Sequence, residues 1–263
     1  KNDYLFCKQG QRSIKIYADG ALGSRGAALL ESYEDKDSRG LVLLDSDIDS
    51  YLRKIAMRNC QIQIHAIGDR GNQMVLNAYE KAYKDFPKKD LRWRIEHAQN
   101  VIEADRKRFK DLNIIASMQP SHAIGDLHFA EDRLGFERLS NAYTWKSFID
   151  DGVVVVGGSD APVEVGDPII EFYAAVTRKD LDGYSNEGWN LQQALSREQA
   201  LAIFTKWPAY AIFKEDKLGT LEIGKLADIT IFDQDIMTIP NEDILATNVV
   251  MTVVGGKIVY ING

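Results

Sequence analysis

The sequence predicts an α/β protein built on parallel β-strands. Short apolar segments typical of strands alternate with amphipathic segments typical of helices through most of the chain. The valine run that begins at Val153 suits a strand buried on both faces, as parallel sheets require. Parallel strands joined by right-handed crossovers form either a (β/α) barrel or a doubly wound sheet.

Five strands and four intervening helices are predicted from the apolar spacing. The predicted strands are Ser13–Ala18, Gln61–Ala66, Arg92–His97, Asn113–Met118 and Val153–Gly157. The predicted helices are Asp47–Arg58, Asn72–Lys84, Glu103–Asp111 and Asn141–Asp150.

The glycines that follow the first strand argue against a dinucleotide-binding doubly wound sheet. The segment ADGALGSRG (residues 18–26) has enough glycines, but it lacks the G-x-G-x-x-G order that opens a helix in such sheets. We predict a flexible loop here, with anion binding as the alternative.

The alternation ends after Arg178. A helical pattern at Ser196–Phe213 begins with an N-cap serine and a capping-box glutamine, Gln199, and Pro208 is expected to divide it into two helices. Two strand-like segments, 218–233 and 248–263, follow, and Gly255-Gly256 predicts a hairpin turn in the second of them.

The charge distribution excludes several partner classes. The formal net charge is -7 and basic residues are interspersed with acidic ones, so a nucleic-acid-binding face is not expected. No apolar run approaches the roughly 20 residues of a membrane span. A small-molecule substrate is the expected partner.

Polar side chains of metal-binding or catalytic type stand at or near the strand ends. Those concerned are Lys15, His65, His97, Gln119, His122 and Asp160. In a parallel barrel the carboxyl ends of the strands form one rim, where active sites are built. Two imidazoles and a carboxylate match the ligands of zinc, which activates a bound water at neutral pH. Any one histidine at such a position is more often structural.

Five motifs resemble successive barrel motifs of the amidohydrolase superfamily. They are KIYADG (15–20), HAIGD (65–69), RIEHAQ (94–99), SMQPSH (117–122) and GGSDAPV (157–163). They are most similar to amidohydrolase family 3, the YtcJ-like metal-dependent hydrolases related to N-substituted formamide deformylases. This resemblance implies strands four to eight of a TIM-type barrel in residues 1–215 and strands of a small flanking β-sandwich in residues 216–263.

The resemblance also implies roles for individual residues. His65 and His97 correspond to the metal ligands of strands five and six, and Asp160 to the strand-eight aspartate that binds metal and shuttles the proton. Lys15 corresponds to the strand-four lysine, which is carbamylated and bridges two metals in binuclear members. A divalent metal is implied, zinc above all, with one or two ions in the intact enzyme and no tight site in this chain alone.

Three further residues are candidates for contact with the substrate. His122 and Gln119 follow the fourth strand, and Arg25 in the glycine-rich loop could bind an anionic group. Solvated loop arginines are commoner than anion-binding ones, and Gln119 could equally make rim hydrogen bonds.

One departure from the family pattern limits these expectations. The His-x-His pair of strand one is absent, since the only histidines are His65, His97, His122 and His128. We therefore expect a fragment that lacks strands one to three and is inactive by itself. Its open sheet edge should be rearranged, paired or covered, for instance by association of copies. We expect a cytoplasmic protein, with secretion or a periplasmic location left open.

The function expected for the intact protein is metal-dependent hydrolysis of non-peptide C–N bonds, in an amide, formamide or cyclic amide. Two alternatives stay open. One is a non-catalytic regulatory or binding relative that keeps the barrel, and the other is an esterase or isomerase that uses the same metal site.

Overall fold

The computed structural model describes residues 13–87, 90–185 and 187–262. Within these ranges the alternating part of the chain forms one sheet of five strands in the order β1-β2-β3-β4-β5. The strands are β1 (Ser13–Tyr17), β2 (Gln61–Ala66), β3 (Arg94–His97), β4 (Ile115–Met118) and β5 (Val155–Gly157). The β1–β2, β2–β3 and β3–β4 pairs are parallel.

Helices connect these strands and continue beyond them. They are α1 (Ile48–Met57), α2 (Asp69–Asp85), α3 (Glu103–Asp111), α4 (Pro120–Asp126), α5 (Ala130–Leu134), α6 (Trp145–Asp150), α7 (Pro168–Thr177), α8 (Arg197–Phe204) and α9 (Lys206–Ala211). Short 3-10 helices cover Glu137–Asn141, Leu191–Gln193 and Asn241–Ala246. Among the described residues, no helix combines the length and apolar character needed to cross a bilayer.

The C-terminal part of the sequence forms a second sheet. Strands β6 (Ile229–Phe232), β7 (Val249–Val254) and β8 (Lys257–Ile261) pair antiparallel in that order. The β7–β8 turn is the predicted hairpin, and both Gly255 and Gly256 have positive φ, 58° and 79°. Two positive φ values are what a type I′ turn requires, and glycine meets that requirement without strain.

The chain divides into two compact units. The first contains the described parts of residues 1–118 and 126–155, and the second contains residues 119–125 and 156–263. The predicted boundary between a barrel part, 1–215, and sandwich strands, 216–263, stays a prediction. Residues 1–12 of the predicted barrel part lie outside the described residues.

The core of the first unit lies between one face of the sheet and its helices. Ile62, Ile64 and Ile95 are fully buried on that face. The Tyr79 ring of α2 packs 4.9 Å from the Trp93 ring, and the Tyr79 hydroxyl donates to the Arg94 carbonyl at 2.9 Å. This bond satisfies the Tyr79 hydroxyl, so the ring is buried without leaving that polar atom unpaired.

The five predicted strands are all present. Gln61–Ala66 has the predicted bounds, whereas three others begin two residues later than predicted and the first ends one residue earlier. The predicted division of the helix at 196–213 is also confirmed. Pro208 cannot donate to the carbonyl of residue 204, four positions earlier, and α8 ends at that residue.

Strand β1 is the first strand of the described sheet. Tyr17 is 55 % exposed, and a groove of about 660 Å³ runs beside the strand, lined by residues that include Ile14, Ile16, Tyr51 and Ile55. The expectation that this edge is covered by another segment or copy stays a prediction.

The capping box of α8 gives a stability prediction. The Ser196 hydroxyl accepts from the Gln199 amide, and the Gln199 side chain accepts from the Ser196 amide at 3.1 Å. Ser196→Ala should cost about 1 kcal/mol and lower the thermal midpoint by about 2–4 °C, measured by circular dichroism. Ser50→Ala, at an exposed position inside α1, is the matched control and should not lower the midpoint, because alanine is the better helix former. Equal midpoints for the two variants would show that the Ser196 cap does not contribute measurably to the stability of the fold.

Candidate active site

Two histidines meet at the carboxyl ends of neighbouring strands. His65 lies near the end of β2 and His97 is the last residue of β3. The parallel register pairs Ala66 with His97, and this brings the two imidazole centroids to 4.5 Å at an angle of 69°. Both residues are nearly buried, 9 % and 5 % exposed.

The backbone at His97 has an uncommon conformation. His97 has φ 74° and the following Ala98 has φ 41°, both in the region that residues with a Cβ rarely adopt. Each such residue costs on the order of 1–3 kcal/mol, and such strain is concentrated at functional sites. In the sheet register Glu96, not His97, is paired with His65. At His97 the regular alternation of side chains along β3 ends, and the His97 ring packs against the His65 ring.

Lys15 lies on the sheet face that carries His65. The register pairs Tyr17 with His65 and Lys15 with Gln63, and alternate residues of a strand share a face. The Lys15 ammonium lies 5.3 Å from the centre of the Tyr17 ring, which lies 5.1 Å from the His65 ring. The Tyr17 ring thus lies beside both the predicted lysine and His65.

An ion pair lies on the same sheet face as Lys15, Tyr17 and His65. Arg94 and Glu96 of β3 contact each other at 3.3 Å, and their side chains are only 13 % and 12 % exposed. The register places Glu96 between His65 and Ser117 of β4. This face of the sheet is therefore polar, in contrast with the isoleucine face that packs against the helices.

Asp19 is a buried carboxylate next to His65, and the sequence did not predict it as a site residue. Its Oδ1 accepts from the Ile67 amide at 2.9 Å, and its Oδ2 accepts from the amides of Ala28 and Gly68 at 2.9 and 2.8 Å. Oδ1 also lies 3.5 Å from Nε2 of His65. The available signal is an Asp-Gly pair directly after the predicted first strand, within the segment predicted to be a flexible loop.

Burial raises the pKa of Asp19 to about 6, and the three amide donors oppose that rise. The carboxylate is therefore ionised above neutral pH and carries a buried negative charge beside His65.

The glycine-rich loop is compact. Gly20 donates to the Gly26 carbonyl at 3.0 Å and Gly26 donates to the Ala21 carbonyl at 2.8 Å, so residues 20–26 close on themselves. Arg25, a candidate for contact with an anionic substrate group, makes two hydrogen bonds to Asp35, 2.9 and 2.6 Å long. A substrate anion would have to displace that carboxylate.

The histidine pair fits a transition metal as part of a ligand set. Imidazole nitrogens are common zinc ligands, and the two rings stand side by side at one edge. In the part of the chain that the structure describes, no three His, Cys, Asp or Glu side chains are grouped closely enough to hold a metal ion. His65 and His97 by themselves would supply only two nitrogen ligands.

Asp160, His122 and Gln119 belong to the second unit. Asp160 has φ 57°, is exposed, and its carbonyl accepts from Val163 at 2.9 Å across a tight turn. The His122 amide donates to the carbonyl of the buried Gln119 at 3.1 Å, and His122 Nε2 lies 3.6 Å from Glu164. The structure thus brings His122 near two acidic side chains, Asp160 and Glu164.

Burial lowers the pKa of His122, and the negative charge of Asp160 opposes that fall. His122 is therefore suited to remain a neutral imidazole at neutral pH, able to accept as well as donate a hydrogen bond.

A second buried carboxylate, Glu171 of α7, was not predicted. Its oxygens accept from the amide and the hydroxyl of Ser121 at 3.0 and 2.5 Å. This contact fixes the start of α4, next to His122. Burial raises the pKa of Glu171, and the Ser121 hydrogen bonds oppose the rise.

A model of the amidohydrolase family matches residues 8–260. The chain belongs to the amidohydrolase family. It is 34 % identical over 250 residues to the amidohydrolase YtcJ of Bacillus subtilis, covering 94 % of this chain and 47 % of YtcJ. It is 26 % identical over 220 residues to the N-substituted formamide deformylase of Arthrobacter pascens, covering 82 % of this chain and 39 % of that enzyme.

A solved structure of a metal-dependent hydrolase is also similar to this chain. An uncharacterized metal-dependent hydrolase from Pyrococcus furiosus superposes with a TM-score of 0.70 at 31 % identity, covering 81 % of this chain and 42 % of that one. The family expected from the five motifs is confirmed. The chain spans less than half the length of these relatives.

The pair of His122 and Asp160 gives a pH prediction. Since the folded chain disfavours the charged imidazole, the free energy of unfolding should fall as the pH drops below the ordinary histidine pKa of 6.5. Asp160→Asn should lower the His122 pKa further, because it removes the charge that favours protonation; an NMR titration of His122 measures this.

Glu222→Gln, which removes an exposed carboxylate paired with Lys225 in the same unit, should leave the His122 titration unchanged. A His122 pKa that rises in Asp160→Asn would contradict the arrangement.

Proposed function

We propose that the protein is a metal-dependent hydrolase of non-peptide C–N bonds, acting on an amide, formamide or cyclic amide. The observation that carries the proposal is the His65–His97 pair at adjacent strand ends, in a chain that belongs to the amidohydrolase family. The names of two relatives, an amidohydrolase and a formamide deformylase, support the C–N substrate class.

We further propose that the five-stranded sheet corresponds to strands four to eight of a (β/α) barrel. Consecutive strands lie next to each other, and helices follow the first four of them on the way to the next strand. The carboxyl ends of barrel strands carry the active site, and His65 and His97 stand at such ends. The antiparallel sheet β6–β7–β8 would belong to the flanking sandwich.

In this proposal His65 and His97 hold a divalent metal, zinc above all, and Asp160, which follows β5 in the chain, is the further ligand that the family resemblance implies. When bound, the metal polarises the carbonyl group of the substrate and activates the attacking water. Asp160 takes the proton from the water and delivers it to the leaving nitrogen. His122, kept neutral by burial, is placed to hydrogen-bond a polar group of the substrate.

These 263 residues contain no counterpart of the family's His-x-His pair. Two imidazoles make an open ligand set with modest affinity. We therefore propose that activity belongs to the longer protein that supplies the remaining ligands and that the present chain alone is inactive.

Metal binding by the present chain can be measured directly. We expect weak Zn²⁺ binding in calorimetric titration, and His65→Ala and His97→Ala should each weaken it at least about tenfold by removing one of two nitrogen ligands. His128→Ala, an exposed histidine after α4, is the matched control. Unchanged zinc binding in both ligand variants would refute the assignment of this pair.

Catalysis is tested in the full-length protein loaded with zinc or manganese. It should hydrolyse N-substituted formamides or amides, and Asp160→Asn should lower kcat by about 10²–10⁴-fold because the proton carrier is lost. Glu222→Gln should retain full activity. Turnover confined to esters, or isomerisation of sugar acids without C–N cleavage, would contradict the substrate class.

A further inference from the structure

The chain that follows β3 is tied to a second segment of the same unit. Residues 99–101 run antiparallel to residues 141–143 and form a short ladder with them. The Tyr143 amide donates to the Gln99 carbonyl at 2.6 Å, and a second backbone bond, 3.0 Å long, closes the other end of the ladder. The backbone is therefore held directly after the turn at His97.

The side chains of the two segments add a network of hydrogen bonds. The Gln99 side chain donates to the Tyr143 hydroxyl at 2.8 Å and to the Asp126 carboxylate at 3.0 Å. The Tyr143 hydroxyl in turn donates to the same carboxylate. Gln99 and Tyr143 are buried, so water competes little for these bonds. None of the three side chains takes part in the proposed hydrolysis.

This network holds a turn that the chain does not adopt readily by itself. His97 has φ 74° and Ala98 has φ 41°, and such conformations persist only where the surrounding structure fixes them. In a regular strand the side chain of residue 97 would point away from the face that carries Glu96 and His65. Release of Gln99 would therefore let the His97 ring leave the His65 ring.

We propose that Tyr143 is a positioning residue for His97. Through Gln99 it holds the left-handed turn, and the turn keeps the His97 ring against the His65 ring, with centroids 4.5 Å apart. The Tyr143 hydroxyl contacts both Gln99 and Asp126, so a single oxygen atom joins the network. The consequence for metal binding rests on the proposed function, because it takes His97 as a ligand.

A second buried tyrosine of the same unit separates positioning from general stability. Tyr143→Phe removes the hydroxyl and keeps the ring. Tyr79→Phe is the matched control, because Tyr79 is equally buried and its hydroxyl donates to the Arg94 carbonyl at the start of β3. Both variants lose a buried hydroxyl, so both should lower the thermal midpoint. Only Tyr143→Phe should change the backbone conformation of His97.

The decisive measurement is the nuclear Overhauser effect between the amide proton and the Hα of His97. It is made on the metal-free chain labelled with ¹⁵N at its histidines, with the His97 signal assigned by His97→Gln. The effect is strong at positive φ, where the two protons are close, and weak in extended backbone. Wild type and Tyr79→Phe should show the strong effect, and Tyr143→Phe should lose most of it. A weak effect in wild type overturns the proposal even if no variant folds, and so does an unchanged effect in folded Tyr143→Phe.

A glycine substitution in the turn tests whether Tyr143 acts through the turn itself. Glycine adopts positive φ about as readily as negative φ, so Ala98→Gly lowers the cost of the turn without restoring the network. Adding Ala98→Gly to Tyr143→Phe should therefore bring back the strong effect at His97. A double variant in which His97 stays extended would mean that the turn is not what Tyr143 holds, and this too overturns the proposal.

Zinc titration distinguishes the positioning role from the metal function. Tyr143→Phe should weaken zinc binding about tenfold, as expected for loss of a group that orients a ligand, and Tyr79→Phe should leave it unchanged. If the effect at His97 follows these expectations and wild type binds no zinc, the metal function fails while the positioning role stands. If zinc binds equally well to wild type and to Tyr143→Phe that has lost the effect, His97 fails as a ligand and the role of Tyr143 in the turn stands.

Discussion

The parallel register of β1, β2 and β3 is the constraint on which the site depends. It sets Tyr17, His65 and Glu96 in one row across the sheet. Because side chains alternate, a slip of one residue in β2 would turn His65 into the isoleucine core and expose Ile64. The burial of Ile62, Ile64 and Ile95 against the helices therefore fixes the chemistry of the opposite face as well as the stability of the sheet.

Register alone would not bring His97 to His65, since residues 96 and 97 point to opposite faces of an ideal strand. The positive φ of His97 and Ala98 breaks the alternation and turns His97 into contact with His65. The cost of this strain is offset by surrounding structure: the Gln99 side chain donates to Tyr143 at 2.8 Å and to Asp126 at 3.0 Å. Strained backbone and buried hydrogen bonds thus occur together directly after β3.

Local sequence signals predicted much of this arrangement. The strand positions follow from apolar spacing, the α8–α9 break from Pro208 and the hairpin from Gly255-Gly256. Asp19 escaped prediction because its role depends on an amide 48 residues away, that of Ile67. Arg25 looked available for anions because Asp35, its partner, is ten residues distant in an irregular loop. Contacts between separate loops leave no periodic pattern, so the sequence alone could name candidate residues without showing their partners.

The contact made by Lys15 bears on the carbamate that the family resemblance implies for it. Carbamylation needs a neutral amine and turns it into an anion. Here the Lys15 ammonium lies 5.3 Å from the centre of the Tyr17 ring, whose face attracts cations and repels anions. A carbamate on Lys15 would therefore have to leave the face of this ring. The neighbouring residue on the same sheet face thus works against the modification, which the lysine at this position of the motif could not show by itself.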